Sequence, residues 1–319
     1  SETASYRPIS LTSCLGKILE KMVADRLIYT LESRNLLTDN QAGFRQNRCT
    51  TDQILKLVQE ASDQIHSNEA SSRTLTAFFD YAKAYNKVWR DGLLFKMQEM
   101  GLPGKFVRYT RHFLSGRIAR VEVDGVRSKP FMLKEGLPQG SCISPILFLI
   151  FINDIASAMD KTTILSLFAD DTAQWMPELG KKRGSSRDKM QQEVNKILDW
   201  ADEWKMEVNT DKTKAMVISS DRADRDWDPN FKAKRDKIKP VGKYRFLGVT
   251  IDNDLRFIPH IGNVVDKARK RVKILKCMST KKWGNRVETQ RKLYTQFIRP
   301  VIEYSSPSFN AWISDTTRQ

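Results

Sequence analysis

The most constraining feature of this sequence is an apolar run that ends in two adjacent aspartates. Residues 164–169 are mostly apolar, Asp170 and Asp171 follow, and a shorter alternating stretch leads on to Trp175. This pattern predicts a β-hairpin whose tip carries the acidic pair. Two carboxylates beside a buried strand repel each other unless a proton or a cation neutralises one of them. Their oxygen atoms suit Mg²⁺, although an isolated Asp-Asp pair is more often only a polar turn.

The charge of the chain predicts a polyanionic partner. Its 319 residues are 40% hydrophobic and 29% charged, and the formal net charge is +16. The length and composition are those of a globular protein of about two domains. The positive excess suits nucleic acid or an anionic membrane surface. Because no apolar run is long enough to span a membrane and the N-terminus has no signal-peptide character, we expect nucleic acid and no membrane.

Cysteine usage predicts a reducing, intracellular compartment. The cysteines are far apart, form no CxxC pair and have three histidines as possible co-ligands, which argues against a disulfide scaffold or a zinc module. The sequence does not separate nucleus from cytoplasm, and it leaves the oligomeric state open. The missing initiator Met predicts a fragment of a longer chain. The cysteines are Cys14, Cys49, Cys142 and Cys277.

A second strand also ends on a carboxylate. Residues 74–80 form a largely apolar run that ends at Asp80, and residues 81–89 are compatible with a helix. At the exit of a strand, Asp80 is well placed to face the acidic pair across a sheet. An aspartate in this position is also a common helix N-cap, so both interpretations stay open at this point.

Two loops have the composition of ligand-binding segments. Residues 41–52 contain Gly43 and two arginines, Arg45 and Arg48, whose guanidinium groups could clamp a phosphate or could simply be solvated. Residues 135–145 contain two glycines and two prolines around Gln139. Such a loop lets a flat ligand approach the backbone closely, and Gln139 offers it both a donor and an acceptor.

The remaining patterns predict helices and strands around these segments. Ser144 is predicted to cap, and Pro145 to open, an apolar helix over residues 146–159. A helix that begins near Thr51 has Thr51 or Asp52 as its N-cap. Further predictions are helices at 15–31, 93–100, 105–113 and 190–204, a basic hairpin at 118–129, a basic loop at 181–186, strands at 215–219 and 244–251, and basic helices after Ile261.

The ordered segments of this chain resemble the successive motifs of a reverse transcriptase palm. They are most similar to the motifs of non-LTR retrotransposons of the jockey or LINE kind. Each motif alone is a weak signal, but seven in the expected order leave little room for coincidence. The matching segments are residues 6–11, 41–52, 80–88, 136–145, 168–171, 209–213 and 246–248.

The resemblance implies a fold and a domain organisation. The fold class would be α/β, α+β in arrangement, with an antiparallel palm sheet, fingers and a short helical thumb. Residues 1–73 would form the fingers and residues 74–255 the palm, with residues 91–135 partly returning to the fingers. Residues 256–319 would form a basic, helical thumb.

The resemblance also implies a reaction and its catalytic residues. An RNA-directed DNA polymerase, a nucleotidyltransferase of a mobile element, would extend a DNA primer on an RNA template with deoxynucleoside triphosphates. Asp80, Asp170 and Asp171 would hold two Mg²⁺ ions, with Mn²⁺ as a possible substitute. Lys212 would protonate the departing pyrophosphate. Tyr85 would exclude a ribose 2′-hydroxyl.

Further positions follow the same resemblance. Arg45 and Arg48 would contact the triphosphate, and Gln139 with Gly140 would support the nucleotide and the template base. The primer grip would be Phe246, Leu247 and Gly248.

One position departs from the family pattern, and two alternatives follow from weighing the motifs. Asn86 stands where these elements often carry a second aspartate, which leaves room for an inactive relic that only binds RNA or DNA. Such relics usually lose the metal carboxylates, and all three are retained here. An RNA-dependent RNA polymerase would share the same palm arrangement. Tyr85 argues against it, because the resemblance implies that this ring excludes a ribose 2′-hydroxyl.

Overall fold

The computed structural model describes residues 9–66, 72–160, 162–178, 185–279, 284 and 286–310. Residues 6–8 of the first motif and residues 181–184 of the predicted basic loop lie outside this part of the chain, whereas Ser185 already belongs to a helix. The helices are α1 Cys14–Ser33, α2 Thr50–Ile65, α3 Ala84–Lys87, α4 Arg90–Glu99, α5 Gly104–Leu114, α6 Ser144–Ile152, α7 Ser185–Glu203, α8 Arg222–Arg225, α9 Ile258–Cys277, α10 Val287–Leu293 and α11 Arg299–Glu303. The strands are β1 Arg73–Phe79, β2 Ile118–Ala119, β3 Glu122–Val123, β4 Val126–Arg127, β5 Phe131–Met132, β6 Ile164–Phe168, β7 Asp171–Glu178, β8 Lys214–Ile218, β9 Lys232–Ala233, β10 Asp236–Lys237, β11 Lys239–Pro240, β12 Lys243–Phe246 and β13 Val249–Asp252.

A five-stranded sheet in the order β11-β8-β1-β7-β6 forms the centre of the fold. β1 pairs antiparallel with both β7 and β8, and β6 and β7 form the predicted hairpin. Every residue of β1 is buried, as expected for a central strand covered on both faces. The apolar run at 74–79 therefore encodes the middle of the sheet.

Two apolar clusters cover the two faces of this sheet. Leu75, Ala77 and Phe79 pack into the cluster that includes α6 and α7. Phe78 projects to the other face, into the cluster formed by α2 and the β12–β13 hairpin. This alternation follows from the two-residue period of a strand. If it continues by one residue, Asp80 belongs to the same face as Phe78.

The apolar helix α6 lies behind the sheet and is buried all round. Its residues from Ile146 to Ile152 are at most 8% exposed, and burial stabilises each large apolar side chain by about 2 kcal/mol. The helix ends at Ile152, where a 3-10 turn takes over the predicted range up to Ala158.

Two predicted N-caps were wrong. α6 begins at Ser144, so Ile143 occupies the cap position, although Pro145 lies in the first turn as expected. α2 begins at Thr50, and Asp52 accepts a hydrogen bond from the Cys49 N–H at 2.9 Å instead of capping with its own backbone. Both helices start one or two residues before the predicted position, which is the usual margin for helix boundaries.

A buried arginine closes the far end of the sheet. The guanidinium of Arg73 bonds to Glu178, and to Asp224 at 2.8 Å, and all three side chains are shielded from solvent. It also lies over the Trp227 ring, 5.2 Å from its centroid. A buried charge is tolerated only with such partners, so this cluster fixes β1, β7 and α8 to one another.

The C-terminal helices are mostly exposed but are tied back to the rest of the fold. In α9 only His260 is buried. After α11, Ser308 donates a hydrogen bond to the carbonyl of Thr51 in α2 at 3.4 Å. None of the helices in the described ranges combines the length and apolar character needed to cross a lipid bilayer.

Candidate active site

The antiparallel register brings the predicted carboxylates to one end of the sheet. Phe79 of β1 pairs with Thr172 of β7, and Phe168 of β6 pairs with Asp171. Asp80 directly follows Phe79, and Asp171 directly precedes Thr172, so the two aspartates adjoin the last paired residues of β1 and β7. Paired residues of an antiparallel pair lie about 5 Å apart, which brings the two aspartates to the same end of the sheet. The two aspartates are 91 positions apart in the chain and become neighbours only through this pairing.

Two half-buried tyrosine hydroxyls respond to these charges. Burial, together with the Asp171 and Asp80 carboxylates, raises the pKa of Tyr244 to about 12. Burial and the Asp170 carboxylate raise the pKa of Tyr85 above its ordinary value. Asp80 and Asp171 therefore lie near the Tyr244 hydroxyl, and Asp170 lies near the Tyr85 hydroxyl.

Asp170 lies in the two-residue turn that closes the β6–β7 hairpin. The first central residue, Ala169, has φ +55°, and Asp170 is the second. A positive φ at the first central position alone is the pattern of a type II′ turn, which usually has glycine there. The sequence correctly predicted the hairpin and its acidic tip, but not this backbone conformation.

The segment around Lys212 docks against Asp80. The Lys212 ammonium lies 3.9 Å from Oδ2 of Asp80. The backbone of Asp80 is held from both sides, because its N–H donates to Thr213 Oγ1 at 3.4 Å and its carbonyl accepts the Asn209 N–H at 2.7 Å. The structure therefore places the predicted general acid beside a predicted metal ligand.

Tyr85 lies near one of the three carboxylates, that of Asp170. It lies in α3 and stacks on Phe148 of α6, with ring centroids 4.6 Å apart and an angle of 14° between the planes. Its carbonyl accepts the Leu137 N–H at 2.7 Å. The half-buried ring is thereby wedged between α6 and the loop that carries Gln139.

The Gln139 loop is held by Asn86 and by the N-terminal segment before α1. Gln139 Nε2 donates to Asn86 Oδ1 at 3.0 Å, and its carbonyl accepts the Ser10 N–H at 2.7 Å. Gly136 has φ +78°, and a Cβ there would lie 2.4 Å from the Asn86 carbonyl. The departure from the family pattern at Asn86 thus has a structural use, since its amide oxygen supports Gln139 as a carboxylate would.

Glu20 is a supporting residue that sequence reasoning missed. It is buried in α1, and its carboxylate accepts the Ser141 hydroxyl at 2.6 Å and the Cys142 N–H at 3.0 Å. A glutamate on the mostly solvent-facing helix α1 resembled any other polar residue. The only signal in the sequence was that Glu20 lies in line with apolar residues of α1 at helical spacing.

Both predicted phosphate-binding arginines have partners within the protein. Arg45 bonds to both carboxylate oxygens of Glu32 at 2.7 Å and to the Thr38 carbonyl at 2.7 Å, and its side chain is 5% exposed. This hydrogen bonding holds the pKa of Glu32 below its ordinary value. Arg48 pairs with Asp39 at 2.6 Å. Contact of either arginine with a triphosphate stays a prediction, and in this conformation Arg45 anchors the loop.

The predicted primer grip is the tip of the β12–β13 hairpin. Leu247 and Gly248 have φ +45° and +91°, as in a type I′ turn. Tyr304, beyond α11, donates its hydroxyl to the Leu247 carbonyl at 2.8 Å and lies 3.0 Å from Thr50 Oγ1. A Cβ at Gly248 would be 3.0 Å from the Tyr304 ring. Sequence reasoning missed Tyr304, whose role depends on a contact between segments far apart in the chain.

The donor set fits a divalent cation, although the side chains are not gathered around one. Among the described residues, no three His, Cys, Asp or Glu side chains already form a metal-binding group. The Asp80 side chain is 38% exposed, and Asp171 is exposed at the same edge. Carboxylate oxygens at a solvent-accessible edge are the ligands that Mg²⁺ prefers.

This architecture defines a class of protein. A helix-covered sheet, antiparallel except for the parallel pairing of β11 with β8 at one edge, with carboxylates at the end of its central strand and in the adjoining hairpin, is the core of the right-hand polymerase fold. The family model for reverse transcriptase (RNA-dependent DNA polymerase) matches residues 1–251, and the chain belongs to this family. The resemblance predicted from the ordered motifs is confirmed.

The curated relatives are non-LTR mobile elements of insects. The RNA-directed DNA polymerase from mobile element jockey of Drosophila melanogaster is 26% identical over 310 residues, covering 95% of this chain and 33% of that protein. The probable RNA-directed DNA polymerase from transposon BS is 26% identical over 320 residues, and that from transposon X-element is 25% identical over 308, both in the same species. These two matches include 94% and 95% of this chain, respectively, and 33% of each relative. The chain therefore spans about a third of the length of these relatives.

Solved structures show the same fold. Telomerase from Candida tropicalis in complex with a fragment of telomeric RNA has a TM-score of 0.54 at 12% identity, over 93% of this chain and 47% of that chain. The apo telomerase of the same species has a TM-score of 0.52 at 12% identity, over 92% and 50%. The predicted right-hand fold of mixed helix and sheet is confirmed.

Proposed function

We propose that this chain is an RNA-directed DNA polymerase that extends a DNA primer on an RNA template with deoxynucleoside triphosphates. The observation that carries the proposal is the register of β1 and β7, which leaves Asp80 and Asp171 at the same end of the sheet, with the Lys212 ammonium beside Asp80. Family membership and the printed activities of the jockey-type relatives support it. The net charge of +16 suits a nucleic-acid duplex.

In this proposal Asp80, Asp170 and Asp171 hold the divalent ions. Bound there, two Mg²⁺ ions, or Mn²⁺ in their place, would supply an activated primer hydroxyl and neutralise the charge on the triphosphate. The side chains of the protein do the positioning. Hydrogen bonds to the backbone of Asp80 from both sides fix where this carboxylate is presented.

Lys212 supplies a proton in the proposed reaction. Its ammonium lies next to Asp80, at the edge where the triphosphate would bind. A cation in this position stabilises charge on the departing pyrophosphate and can donate a proton to one of its oxygens.

The surrounding residues select the nucleotide and hold the primer. Tyr85, wedged on Phe148, occupies the space that a ribose 2′-hydroxyl would need. Gln139 and Gly140 form the floor under the nucleotide and the template base, and Arg48 approaches the triphosphate from the loop. Phe246, Leu247 and Gly248 grip the primer backbone.

The proposal includes a division into fingers, palm and thumb. The fingers span residues 1–73 and the palm residues 74–255, with residues 91–135 partly returning to the fingers. The thumb spans residues 256–319. The exposed basic helix α9 supports its role as the part that lies on the duplex.

Primer extension by the purified chain tests the proposal. With Mg²⁺, we expect deoxynucleotides to be added to a DNA primer on an RNA template, and Asp170→Asn to abolish the addition while template binding persists. Asp199→Asn, at an exposed position of α7, is the matched control and should extend normally. Increasing salt should weaken template binding steeply, because basic contacts release counterions.

The alternatives give different results in the same assay. Addition of ribonucleotides in preference to deoxynucleotides would identify an RNA-dependent RNA polymerase. Template binding without any extension, equal for the unaltered chain and Asp170→Asn, would identify a catalytically inactive binding relic.

A further inference from the structure

The turn that carries Asp170 contains a residue in an unfavourable conformation. Ala169 has φ +55° and is 7% exposed. An L-residue with a side chain is disfavoured in the left-handed region, where glycine is normal. Such a residue persists only where its surroundings impose the conformation. Something in this structure must therefore hold Ala169.

The amide of Gln41 contacts this turn directly. Its side chain is buried, 1% exposed, and Oε1 accepts the Ala169 N–H at 3.0 Å and the Gly43 N–H at 2.8 Å. Because both partners are donors, the atom that faces them must be the amide oxygen. One side-chain atom thus joins two loops that are 128 positions apart in the chain.

The backbone on either side of Gln41 strengthens this contact. The Leu167 N–H donates to the Asn40 carbonyl at 2.9 Å, and the Ala42 N–H donates to the Leu167 carbonyl at 2.9 Å. Gln41 and Leu167 therefore form a parallel bridge at the edge of the central sheet. The amide oxygen is aimed at the turn by a paired backbone.

Gly43 allows the two loops to approach this closely. A Cβ at this position would lie 2.4 Å from the Ala169 nitrogen and 3.1 Å from the Phe168 carbonyl carbon. Any side chain here would displace the turn. The Gln41 carbonyl is bonded in turn to Arg45 at 3.2 Å, and Arg45 is held by Glu32 of α1.

We propose that Gln41 is a positioning residue, which holds Ala169 in its left-handed conformation and thereby sets the places of Asp170 and Asp171. The inference rests on the proposed function, because the position of the carboxylates affects a rate only if they catalyse. Without Oε1 the buried Ala169 N–H would lack a partner, and the hairpin would relax toward a turn that satisfies it. Misplacing a reacting group by about 1 Å can cost on the order of a hundredfold in rate.

A double-mutant experiment separates positioning from general stabilisation. Gln41→Met keeps the length of the side chain and removes the acceptor, so kcat should fall by about tenfold to a hundredfold. KM for the nucleotide and the affinity for the template should change much less. Adding Ala169→Gly should restore most of the lost rate, since glycine adopts a positive φ without help. A Gln41→Met chain that turns over normally, or a loss that Ala169→Gly does not relieve, would overturn the inference.

Amide hydrogen exchange tests the same contact without any activity. In the unaltered chain the Ala169 N–H should be protected, and Gln41→Met should speed its exchange by at least about tenfold. The Leu167 N–H, bonded to a backbone carbonyl, should stay protected in both. Gln41→Glu retains an oxygen at Oε1 and should keep Ala169 protected. Unchanged exchange at Ala169 in Gln41→Met would contradict the proposal.

Gln53 supplies a matched control. It is also a buried glutamine facing β6, but its Oε1 accepts the Ser166 hydroxyl at 2.6 Å instead of a turn N–H. Gln53→Met should leave the exchange of Ala169 and the value of kcat near normal. If the unaltered chain extends no primer, the proposed polymerase function fails, whereas the exchange comparison still decides whether Gln41 holds the turn.

Discussion

Lys212 lies beside Asp80, with 3.9 Å between the ammonium nitrogen and a carboxylate oxygen. The two residues are 132 positions apart, and β8 next to β1 brings them together at the carboxylate edge of the sheet. This pairing joins the proposed proton donor to a proposed metal ligand, and it is the first relationship to test.

Replacing Lys212 should slow the chemical step. Lys212→Met removes the proton donor and a positive charge, so the single-turnover rate should fall about a hundredfold, the usual scale for general acid catalysis. Lys189→Met, at an exposed position of α7, is the control and should extend at the normal rate. An unchanged single-turnover rate in Lys212→Met would remove Lys212 from the mechanism.

The ring of Tyr85 should decide the choice between deoxynucleotides and ribonucleotides. Tyr85→Ala opens the space next to Phe148, so discrimination against ribonucleotides should fall by at least about tenfold, measured as a ratio of kcat/KM values. Tyr85→Phe keeps the ring and should keep the discrimination. Equal discrimination in the alanine and phenylalanine variants would show that the ring is not the gate.

Arg45 should act on stability more than on nucleotide binding. Arg45→Met removes its hydrogen bonds to Glu32 and to the Thr38 carbonyl, so the free energy of unfolding in urea should fall by about 2 kcal/mol. Arg26→Met, exposed on α1, should leave it unchanged. A normal unfolding curve with a raised KM for nucleotide would instead favour direct contact between Arg45 and the triphosphate.

Tyr304 should connect the predicted primer grip to the rest of the fold. Tyr304→Phe removes the hydroxyl that bonds to Leu247, which should cost about 1 kcal/mol in the free energy of unfolding and speed the dissociation of a primed template. Tyr29→Phe, at a residue 73% exposed, is the control. Identical dissociation rates for the two variants would argue that the contact does not affect the grip.

His260 should make the fold sensitive to acid. Burial, with Lys267 and Arg245 nearby, lowers the pKa of His260 to about 4. The unfolded chain takes up a proton near the ordinary value of about 6.5, so the stability contributed by the neutral ring is present above that pH and is lost as pH falls toward 4. Urea unfolding of the wild type and of His260→Gln should differ most at neutral pH and progressively less toward pH 4.

Asp252 also titrates in the pH range in which His260 is tested, so its contribution to stability must be distinguished from that of His260. Burial raises the pKa of Asp252 to about 6, so its contribution changes in the opposite direction and favours the folded state as pH falls. It is present in both chains and cancels in the difference. His112→Gln, at an exposed histidine, should show no such pH dependence, and a pH-independent difference for His260→Gln would refute the assignment.

Local patterns in the sequence were sufficient to predict the central hairpin, β1 and the order of the motifs. Asp80 follows the apolar strand β1, and Asp170 and Asp171 follow the apolar strand β6. Both strands pair antiparallel with β7, so their C-terminal ends lie at the same edge of the sheet. The helix α6 was equally visible because it is apolar throughout. The helix starts at Thr50 and Ser144 were less visible, since the first turn of a helix carries little periodic signal.

The sequence by itself therefore determined the elements, their order and the family, because these depend on periods of 2 and 3.6 residues and on short motifs. Only the tertiary structure decided which partner each polar side chain has. Arg45 is bonded to Glu32, Gln41 to the turn at Ala169, and Tyr304 to Leu247. These pairings depend on the packing of segments far apart in the chain, where a buried polar atom must find a partner and the local sequence does not specify which.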